Sequence, residues 1–508
     1  MQKNLIEYFD RVQKLHPNRA AVIEGDKSIS FSQLGQDSKN VANRIIVAVE
    51  QVLNKPVAVF LPKGIESVVA DLAITYSGNV YMNLDVKSPQ LRIENILNLI
   101  QPVLILTNNA NRERLSGISY KCTILCIDDI EASSSGDELI YRRLEAHIDT
   151  DPYCIINTSG STGTPKGVVL NHRSFIDFTE WAIDTLHIKD NEIVGSLSPI
   201  VFDIYSFELC MLMAKGSTLV VLPDSLAAFP AKLLSIMQEQ KVTFIFWVPT
   251  IMVNIANMDL LSKIALPVLK TVWFAGEVFP TKQFNQWKQQ LPSTKFVNLY
   301  GPIEITLDCT YYVVERELKD NEPIPIGFPC KNSDVLILNE SNQRVAIGEE
   351  GELCVRGSSL AMGYYNNPVK TAEAFVQNPL NSSYPEIIYR TGDIVSINER
   401  GEIEFKGRKD SLIKHMGYRI ELGEIEHVII NTLKLVENGC VVYNFSKKEI
   451  TLFFEAKGEI SLAELKSKIA TVFPKYMIPT VYMRLEEMPR NINGKIDRLF
   501  LNNSINNG

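Results

Sequence analysis

The chain has 508 residues, more than one hydrophobic core usually holds, so two or more domains are expected. Its formal net charge is −8, which gives no electrostatic reason to expect nucleic acid or an anionic membrane as a partner. No apolar run is long enough to span a bilayer and the charged N-terminus does not resemble a signal peptide, so the cytoplasm is the expected compartment.

Short β-rich runs alternate with helical patterns over the first 330 or so residues. Continuous apolar strands with helical crossovers are typical of parallel sheets covered by helices on both faces. The sequence therefore predicts a large α/β N-terminal domain. Its clearest strands are predicted at 56–61, 103–108, 217–222, 242–248, 269–274 and 295–299.

The pattern of predicted elements changes after this region. Residues 330–406 read as short strands separated by Gly, Asn and Pro turns, which predicts a β-rich subdomain. The last hundred or so residues mix both kinds of element and predict a small α+β domain. A helix is expected to begin at Ser461, with Glu464 completing a capping box.

Cysteine and histidine spacing predicts neither a disulfide framework nor a zinc site. The eight cysteines are dispersed, mostly inside apolar segments, and are expected to be buried free thiols. The six histidines do not cluster with acids or cysteines at metal-ligand spacing.

A glycine-rich loop at 157–168, NTSGSTGTPKGV, carries the strongest chemical signal. Its glycines let the backbone approach a phosphate, its hydroxyls donate hydrogen bonds, and Lys166 adds a positive charge. Gly167 follows the lysine where the P-loop of common NTPases has Ser or Thr, so this is a different polyphosphate loop. A flexible linker is a poor alternative, because the loop lies between two strand-like runs.

The string SGSTGTPKGV resembles the phosphate loop of the adenylate-forming superfamily, which contains acyl-CoA synthetases, firefly luciferase and adenylation domains of nonribosomal peptide synthesis. Further strings occur in the order of that family, so the resemblance covers nearly the whole chain. They are YGPIE (300–304), GELCVRGSSLAMGYYNNP (351–368), YRTGD (389–393), GRKD (407–410), HMGYRIELGEIE (415–426) and NGKIDR (493–498).

The resemblance implies ATP and Mg²⁺ as cofactors and gives each motif a role. Asp393 and Arg408 would hold the ribose, Tyr300 would stack on adenine, and Glu304 would bind Mg²⁺. Lys495 would lie between the substrate carboxylate and the α-phosphate, and Lys166 would bind phosphate oxygens, so that these two lysines and Glu304 are the implied catalytic residues. The implied ATP-binding set is Thr158, Ser159, Gly160, Ser161, Thr162, Gly163, Thr164, Lys166, Tyr300, Gly301, Asp393, Arg408 and Lys495.

Ile303 departs from the family pattern, which usually has a threonine that contacts phosphate. Isoleucine cannot donate, so a handicap of roughly 1–3 kcal/mol is expected rather than inactivity. The same residue is the one feature that favours a non-catalytic relative.

The resemblance also implies two half-reactions. Residues 1–406 would form the N-terminal core, 407–410 a hinge centred on Asp410, and 411–508 a mobile C-terminal domain. Rotation about the hinge would bring in either Lys495 for adenylation or the segment around Gly417 for thioester formation.

Asp203 aligns with the aspartate that pairs with the substrate ammonium in amino-acid-activating members, which implies an α-amino acid. Bulky apolar neighbours favour a small substrate, with proline or alanine preferred, as in the L-proline– and D-alanine–carrier-protein ligases that the chain also resembles. Asp308 fits neither substrate cleanly. It is expected either to bind a hydroxyl or amine of the substrate or to form a hydrogen bond with the backbone. The implied pocket is Asp203, Ile204, Phe207, Phe246, Trp273, Ala275, Leu299, Leu307 and Asp308.

The chain ends soon after NGKIDR, so the thiol acceptor is expected to be a separate carrier protein with a phosphopantetheine arm. Coenzyme A as acceptor, or a relative that only binds a nucleotide or partner, are the alternatives. The presence of Lys166, Glu304, Asp393, Arg408 and Lys495 together argues against a non-catalytic role.

Overall fold

The computed structural model describes residues 2–50, 52–130, 137–159, 165–409, 412–456, 461–490 and 496–506. Helices are distributed along the whole of this part of the chain. Their bounds are α1 (Ile6–Leu15), α2 (Phe31–Val49), α3 (Ile65–Tyr76), α4 (Gln90–Ile100), α5 (Asn109–Leu115), α6 (Glu138–Glu145), α7 (His172–Leu186), α8 (Asp203–Lys215), α9 (Pro230–Glu239), α10 (Pro249–Asn257), α11 (Thr281–Gln290), α12 (Pro368–Ala374), α13 (Leu422–His427), α14 (Leu462–Ala470) and α15 (Arg498–Asn506).

The strands fall into a helix-rich set before residue 330 and a strand-rich set after it. The first set is β1 (Ala20–Glu24), β2 (Lys27–Ser30), β3 (Pro56–Phe60), β4 (Val80–Asn83), β5 (Leu104–Thr107), β6 (Thr123–Cys126), β7 (Pro152–Thr158), β8 (Lys166–Asn171), β9 (Ile193–Ser196), β10 (Thr218–Val221), β11 (Phe244–Trp247), β12 (Thr271–Phe274), β13 (Lys295–Tyr300), β14 (Thr310–Val313) and β15 (Phe328–Pro329). The second set is β16 (Ser333–Leu338), β17 (Glu350–Gly357), β18 (Gly363–Tyr364), β19 (Phe375–Gln377), β20 (Ile387–Ile397), β21 (Ile403–Arg408), β22 (Leu412–His415), β23 (Tyr418–Glu421), β24 (Asn438–Asn444), β25 (Glu449–Glu455) and β26 (Val481–Arg484).

Two large sheets form the N-terminal region. One has the order β15-β14-β13-β12-β11-β9-β10-β1-β2 and the other β18-β8-β7-β4-β3-β5-β6. The first is parallel in its middle and antiparallel at both edges, whereas the second is antiparallel only at its β18 end and parallel from β7 to the other edge, β6. Central strands such as β3 and β11 are buried along their whole length, as expected when helices cover both faces. The predicted α/β domain and its six clearest strands are confirmed.

A sheet of order β16-β17-β20-β19, with β21 paired to β20, forms the β-rich region. The C-terminal region has a two-stranded hairpin, β22-β23, and a sheet of β24-β25-β26 against helices. Its apolar side chains form a cluster of their own that runs from Ile413 to Met477. The predicted combination of a large α/β region, a β-rich subdomain and a small α+β C-terminal region is confirmed.

Helix α14 follows Ser461 as predicted, but the capping box is absent. The Ser461 side chain makes no cap hydrogen bond. Glu464 instead pairs with Lys468 one turn further on, at 2.7 Å between Oε1 and Nζ. A solvent-exposed acid at this spacing has a cation within reach on its own helix, and that contact replaces the cap.

The eight cysteines are free thiols, seven of them buried and Cys122 half-buried, as predicted. Within the described ranges, no group of three or more His, Cys, Asp or Glu side chains is arranged to hold a metal ion. None of the helices in these ranges is long and apolar enough to cross a membrane.

Candidate active site

A cavity lies where the carboxyl ends of parallel strands from both large sheets meet. Strands β11, β12 and β13 end beside it, and the residues that follow them, Val248, Ala275 and Gly301, line it. The end of β7 and the N-terminus of α8 close the opposite side. Ligands in open α/β sheets bind outside the carboxyl ends of strands, so this is the expected place for chemistry.

The start of the glycine-rich loop faces this cavity at the end of β7. Thr158 and Ser159 line the cavity, and Lys166 is the first residue of β8. The Thr158 hydroxyl and both polar atoms of the Asn157 side chain are buried without a hydrogen-bond partner among the described residues. Buried polar groups of this kind need a partner, and phosphate oxygens and their hydration suit them. The predicted ligands Gly160, Ser161, Thr162, Gly163 and Thr164 lie outside the described residues.

Asp393, Arg408 and Tyr300 meet at the β-rich edge of the site. Asp393 on β20 accepts hydrogen bonds from the Arg408 guanidinium on β21 and from the Tyr300 hydroxyl at the end of β13. Asp393 and Arg408 are paired residues of adjacent antiparallel strands, which fixes the contact. The structure thus brings the three predicted nucleoside-binding residues together. Their role in binding a nucleotide stays a prediction.

Glu304 is completely buried in the short helical turn Ile303–Ile305 that follows β13. Its Oε2 accepts a hydrogen bond from Arg419 Nη1 at 2.6 Å, and its Oε1 accepts one from the Tyr364 hydroxyl at 2.8 Å. Burial alone would raise the pKa of Glu304, but Arg419 and Tyr364 hold that pKa below its usual value. An ionised carboxylate is an oxygen donor of the kind that Mg²⁺ prefers, and the residue after this turn, Thr306, has a buried hydroxyl without a hydrogen-bond partner among the described residues.

The hairpin β22-β23 of the C-terminal region inserts into the phosphate side of the cavity. Lys166 Nζ pairs with Glu421 Oε1 at 2.9 Å. The Ser159 hydroxyl donates to the Arg419 carbonyl at 2.6 Å and accepts from the Glu421 N–H at 3.1 Å. Ser159 and Lys166, which sequence analysis assigns to ATP, and Glu304, which it assigns to Mg²⁺, are therefore all bound by the hairpin in this arrangement.

Gly417 is at the turn of this hairpin and lines the cavity. Its φ of +83° is in the region that favours glycine, and a Cβ would lie 2.9 Å from Val248 Cγ1. Its N–H donates to Glu277 Oε1 at 2.9 Å. The structure thus places the residue predicted for thiol transfer inside the site, pressed against the N-terminal region.

Asp203 is the first residue of α8 and lines the acid side of the cavity with Ile204. Its Oδ1 accepts a hydrogen bond from the Ile204 N–H at 2.9 Å. Burial raises the pKa of Asp203 to about 6, and the Ile204 N–H and the charge of Lys414 oppose that increase. The positive end of the helix dipole also favours the ionised carboxylate, which suits it to an ammonium partner.

Asp308 lines the same cavity and is 3% exposed. It follows two residues, Thr306 and Leu307, with φ of +54° and +65°. Such values are uncommon in residues other than glycine and cluster at functional sites. Burial raises the pKa of Asp308 well above its usual value, and the nearby Asp203 raises it further.

The remaining predicted pocket residues divide into two groups. Ala275 and Leu307 line the cavity together with Asp203, Ile204 and Asp308. The rest lie behind this wall in the core. They are Phe207, Phe246, Trp273 and Leu299, each no more than 1% exposed. The Phe207 and Trp273 rings stack with centroids 5.4 Å apart, and Phe246 packs edge-on against both.

The predicted catalytic Lys495 and the predicted hinge Asp410 lie outside the described residues. Several residues of the site received no role from sequence. Arg419, Glu421 and Lys414 come from the hairpin, while Tyr364 is on β18 and Glu277 follows β12, both in the large N-terminal sheets. Arg419 and Glu421 lie in the string HMGYRIELGEIE, but sequence analysis assigned a role only to Gly417 of that string.

The AMP-binding enzyme family matches residues 9–365. Among curated relatives, the zwittermicin A synthase ZmaJ of Bacillus cereus is 31% identical over 96% of this chain and 92% of its own length. Tyrocidine synthase 1 of Brevibacillus parabrevis is 28% identical over 98% of this chain, which spans only 44% of that longer protein.

Among solved structures, the Vibrio cholerae adenylation domain AlmE in complex with glycyl-adenosine-5'-phosphate superposes with a TM-score of 0.84 and 20% identity, covering 99% of this chain and 98% of AlmE. That similarity shows the fold, whereas the family match and the similarity to ZmaJ extend to the sequence. The chain therefore belongs to the AMP-binding enzyme family, within the adenylate-forming superfamily, and resembles the adenylation domains of nonribosomal peptide synthesis.

Proposed function

We propose that this chain activates a small α-amino acid with ATP as an aminoacyl-adenylate and then transfers the aminoacyl group to the phosphopantetheine thiol of a separate carrier protein. The observation that carries this proposal is the position of Asp203. Its buried carboxylate lies at a helix N-terminus in the same cavity as Ser159 and close to Glu304. An amino acid with its ammonium on Asp203 would direct its own carboxylate towards the phosphate loop.

In the first half-reaction a carboxylate oxygen of the amino acid forms a bond to the α-phosphorus of ATP, and the bond from that phosphorus to pyrophosphate breaks. Two anions approach one another in this step, so cations around the phosphates stabilise the transition state. Lys166 and Lys495 are proposed for this role, with Asp393, Arg408 and Tyr300 holding the nucleoside. Mg²⁺, when bound, would neutralise phosphate charge, and Glu304 is the proposed protein ligand.

In the second half-reaction the carrier thiolate forms a bond to the acyl carbon, and AMP leaves with the electron pair of the acyl–oxygen bond. The described arrangement supports this step because the hairpin β22-β23 covers the phosphate ligands and places Gly417 at the cavity. We assign residues 1–406 to the core, 407–410 to the hinge and 411–508 to the domain that moves. A cytoplasmic location and the absence of a nucleic-acid partner stay predictions from sequence.

The proposed substrate is small because aromatic rings fill the space behind the cavity wall. Phe207, Phe246 and Trp273 pack on one another behind the wall, so a long substrate side chain would have to displace packed rings. Proline and alanine, which sequence analysis favours, satisfy this limit on size. Neither one offers a partner to Asp308.

The test is amino-acid-dependent exchange of labelled pyrophosphate into ATP, with all common L- and D-amino acids. Exchange with any small amino acid supports adenylation, and exchange only with large ones contradicts the size limit. A second assay offers the adenylate to a phosphopantetheinylated carrier protein and to coenzyme A. Faster transfer to coenzyme A would identify the chain as an acid–CoA ligase, and the absence of both exchange and transfer would indicate a non-catalytic relative.

A further inference from the structure

The segment 196–202 joins the end of β9 to the start of α8 and leads directly into Asp203. Its last two residues, Val201 and Phe202, line the cavity beside Asp203. The Phe202 side chain makes no capping hydrogen bond at the start of α8. The position of the Asp203 carboxylate therefore depends on the path that this segment follows.

Lys63 binds the first part of the segment. Its ammonium donates hydrogen bonds to the Ser196 carbonyl at 2.7 Å and to the Ser198 carbonyl at 3.1 Å. Lys63 follows β3, which belongs to the other large sheet, so these hydrogen bonds connect the two sheets. Hydrogen bonds from a charged donor are roughly twice as strong as neutral ones, which makes this a firm attachment.

Asn83 binds the same segment two residues further on. Its Nδ2 donates to the Ile200 carbonyl and to Asp71 Oδ2, both at 3.2 Å. The Tyr205 hydroxyl, in the first turn of α8, donates to the same Asp71 oxygen at 3.0 Å. Asn83 and Asp71 are both buried, so the segment and the first turn of α8 share one buried polar anchor.

Glu208 of α8 supports the contact between Lys63 and the segment. It is completely buried, and its Oε2 accepts a hydrogen bond from the Ser196 hydroxyl at 2.5 Å. Burial lowers the pKa of Lys63 to about 8, and the charge of Glu208 opposes that decrease. The ammonium therefore stays protonated at neutral pH, and Ser196 is bound at both its carbonyl and its hydroxyl.

The three carbonyls that Lys63 and Asn83 bind alternate along the chain, at 196, 198 and 200. Backbone carbonyls in a connecting segment need partners, and here side chains of the other sheet supply them. Among the described residues that line the cavity, neither Lys63 nor Asn83 occurs. Any effect of these two residues on the reaction must therefore pass through the segment.

We propose that Lys63 and Asn83 are positioning residues for the first half-reaction, which hold the segment 196–200 so that Asp203 meets the ammonium of the amino acid. This inference rests on the proposed function. Because the two residues act through Asp203, their loss impairs the use of the amino acid and leaves the use of ATP nearly unchanged.

The expected effects follow from the number and charge of the hydrogen bonds removed. Lys63→Met should lower kcat/KM for the amino acid by ~100-fold, the loss that a displacement of about 1 Å produces in a binding group. Asn83→Ala removes one neutral hydrogen bond to the segment and should cost ~10-fold. Lys63→Arg keeps the charge and two donors and should cost ~10-fold or less. KM for ATP should change by less than ~3-fold in all three variants.

Lys295→Met is the matched control. Lys295 Nζ donates to the Leu186 carbonyl at 2.9 Å, and neither residue is among those that line the cavity. This variant also loses a hydrogen bond from a lysine to a carbonyl. It should change kcat/KM for the amino acid by less than ~3-fold, because the lost contact does not lead to Asp203.

A double-mutant cycle separates positioning from general weakening of the fold. In the Asp203→Asn background, Lys63→Met should cost less than a further ~3-fold, because the group that Lys63 positions has already lost its charge. General weakening would lower exchange by the same factor in both backgrounds.

The experiment measures pyrophosphate exchange by the full chain at varied amino acid and varied ATP, with thermal unfolding as the check on folding. It uses the common L- or D-amino acid that gives the fastest exchange with wild type. Calorimetric binding of the sulfamoyl adenosine of that amino acid, compared with AMP, gives a readout without turnover. Lys63→Met should weaken binding of the first compound and leave AMP binding unchanged. Asn83→Ala provides the same comparisons if Lys63→Met does not fold.

Equal losses for the amino acid and ATP, equal factors in both backgrounds of the cycle, or full activity of Lys63→Met overturn the inference and leave the proposed function in place. The absence of exchange by wild type with every amino acid overturns the proposed function and the inference together.

Discussion

The two sides of the cavity differ in whether their buried ionisable groups have partners within the chain. On the nucleotide side Glu304, Asp393 and Lys166 each have a charged partner in the chain, and two of those partners come from the hairpin β22-β23. On the acid side Asp203 and Asp308 have no ion-pair partner among the described residues. The difference fits the proposed function. In that function one side would exchange its protein partners for phosphates and Mg²⁺, and the other side would receive its partner from the substrate.

Removing the charge of Asp203 tests the acid side most strongly. Asp203→Asn should lower kcat/KM for the amino acid in pyrophosphate exchange by roughly 200- to 5,000-fold, because loss of one partner of a buried ion pair costs about 3–5 kcal/mol. Asp190→Asn, which breaks only the surface pair with Lys215, is the matched control and should have little effect. An Asp203→Asn variant as active as wild type would mean that the substrate ammonium lies elsewhere.

A substitution at Gly417 tests how the hairpin β22-β23 docks on the nucleotide side of the cavity. Gly417→Ala places a Cβ 2.9 Å from Val248 Cγ1 at a positive φ, which should cost roughly 1–3 kcal/mol and slow transfer to the carrier by about 5- to 150-fold. Pyrophosphate exchange should be unchanged. Gly401→Ala is the control for backbone strain alone, because Gly401 has a φ of +76° with open space around it. Equal losses in exchange and transfer would contradict a role limited to the second half-reaction.

The pH dependence of amino-acid use reports on Asp203 directly. Burial raises the pKa of Asp203 to about 6, and only the ionised carboxylate pairs with an ammonium. Acidification protonates the carboxylate, so kcat/KM for the amino acid should fall about tenfold per pH unit below pH 6. The residual activity of Asp203→Asn should lack this acidic limb. An identical limb in the variant would assign the titration to another group.

The smallest expected effect is at Ile303, which lines the phosphate side with an apolar side chain. Ile303→Thr restores a hydroxyl at this position and should raise kcat/KM for ATP by about fivefold, since a single hydrogen bond contributes about 1 kcal/mol. Ile303→Val serves as the control for the change in size. An unchanged rate in Ile303→Thr would show that the missing hydroxyl is not a handicap.

Sequence reasoning succeeded where local pattern decides structure. Buried strands such as 244–247 and 271–274 have continuous apolar runs, and parallel strands alternate with helices, so the two large sheets were predictable. Their carboxyl ends then determined where the site had to be. The motif residues Ser159, Glu304, Asp393 and Gly417 could be found because each one lies in a string characteristic of the family.

The rest depended on contacts between distant parts of the chain. Nothing in the local sequence around Arg419 indicates that it reaches Glu304, 115 residues away, or that Glu421 reaches Lys166. Likewise, alignment places Phe207, Phe246 and Trp273 in the pocket wall, but only three-dimensional packing shows that their rings contact one another behind it. Side-chain packing of this kind cannot be read from periodicity.

The hairpin contacts of Ser159, Lys166 and Glu304 have a kinetic consequence under the proposed function. If the same residues bind the phosphates, pyrophosphate would have to leave before the hairpin could dock and a carrier thiol could react. Pyrophosphate would then inhibit the second half-reaction by competing with the chain's own hairpin rather than with the carrier. Rapid removal of pyrophosphate would both prevent reversal of the adenylation and shorten the delay before transfer.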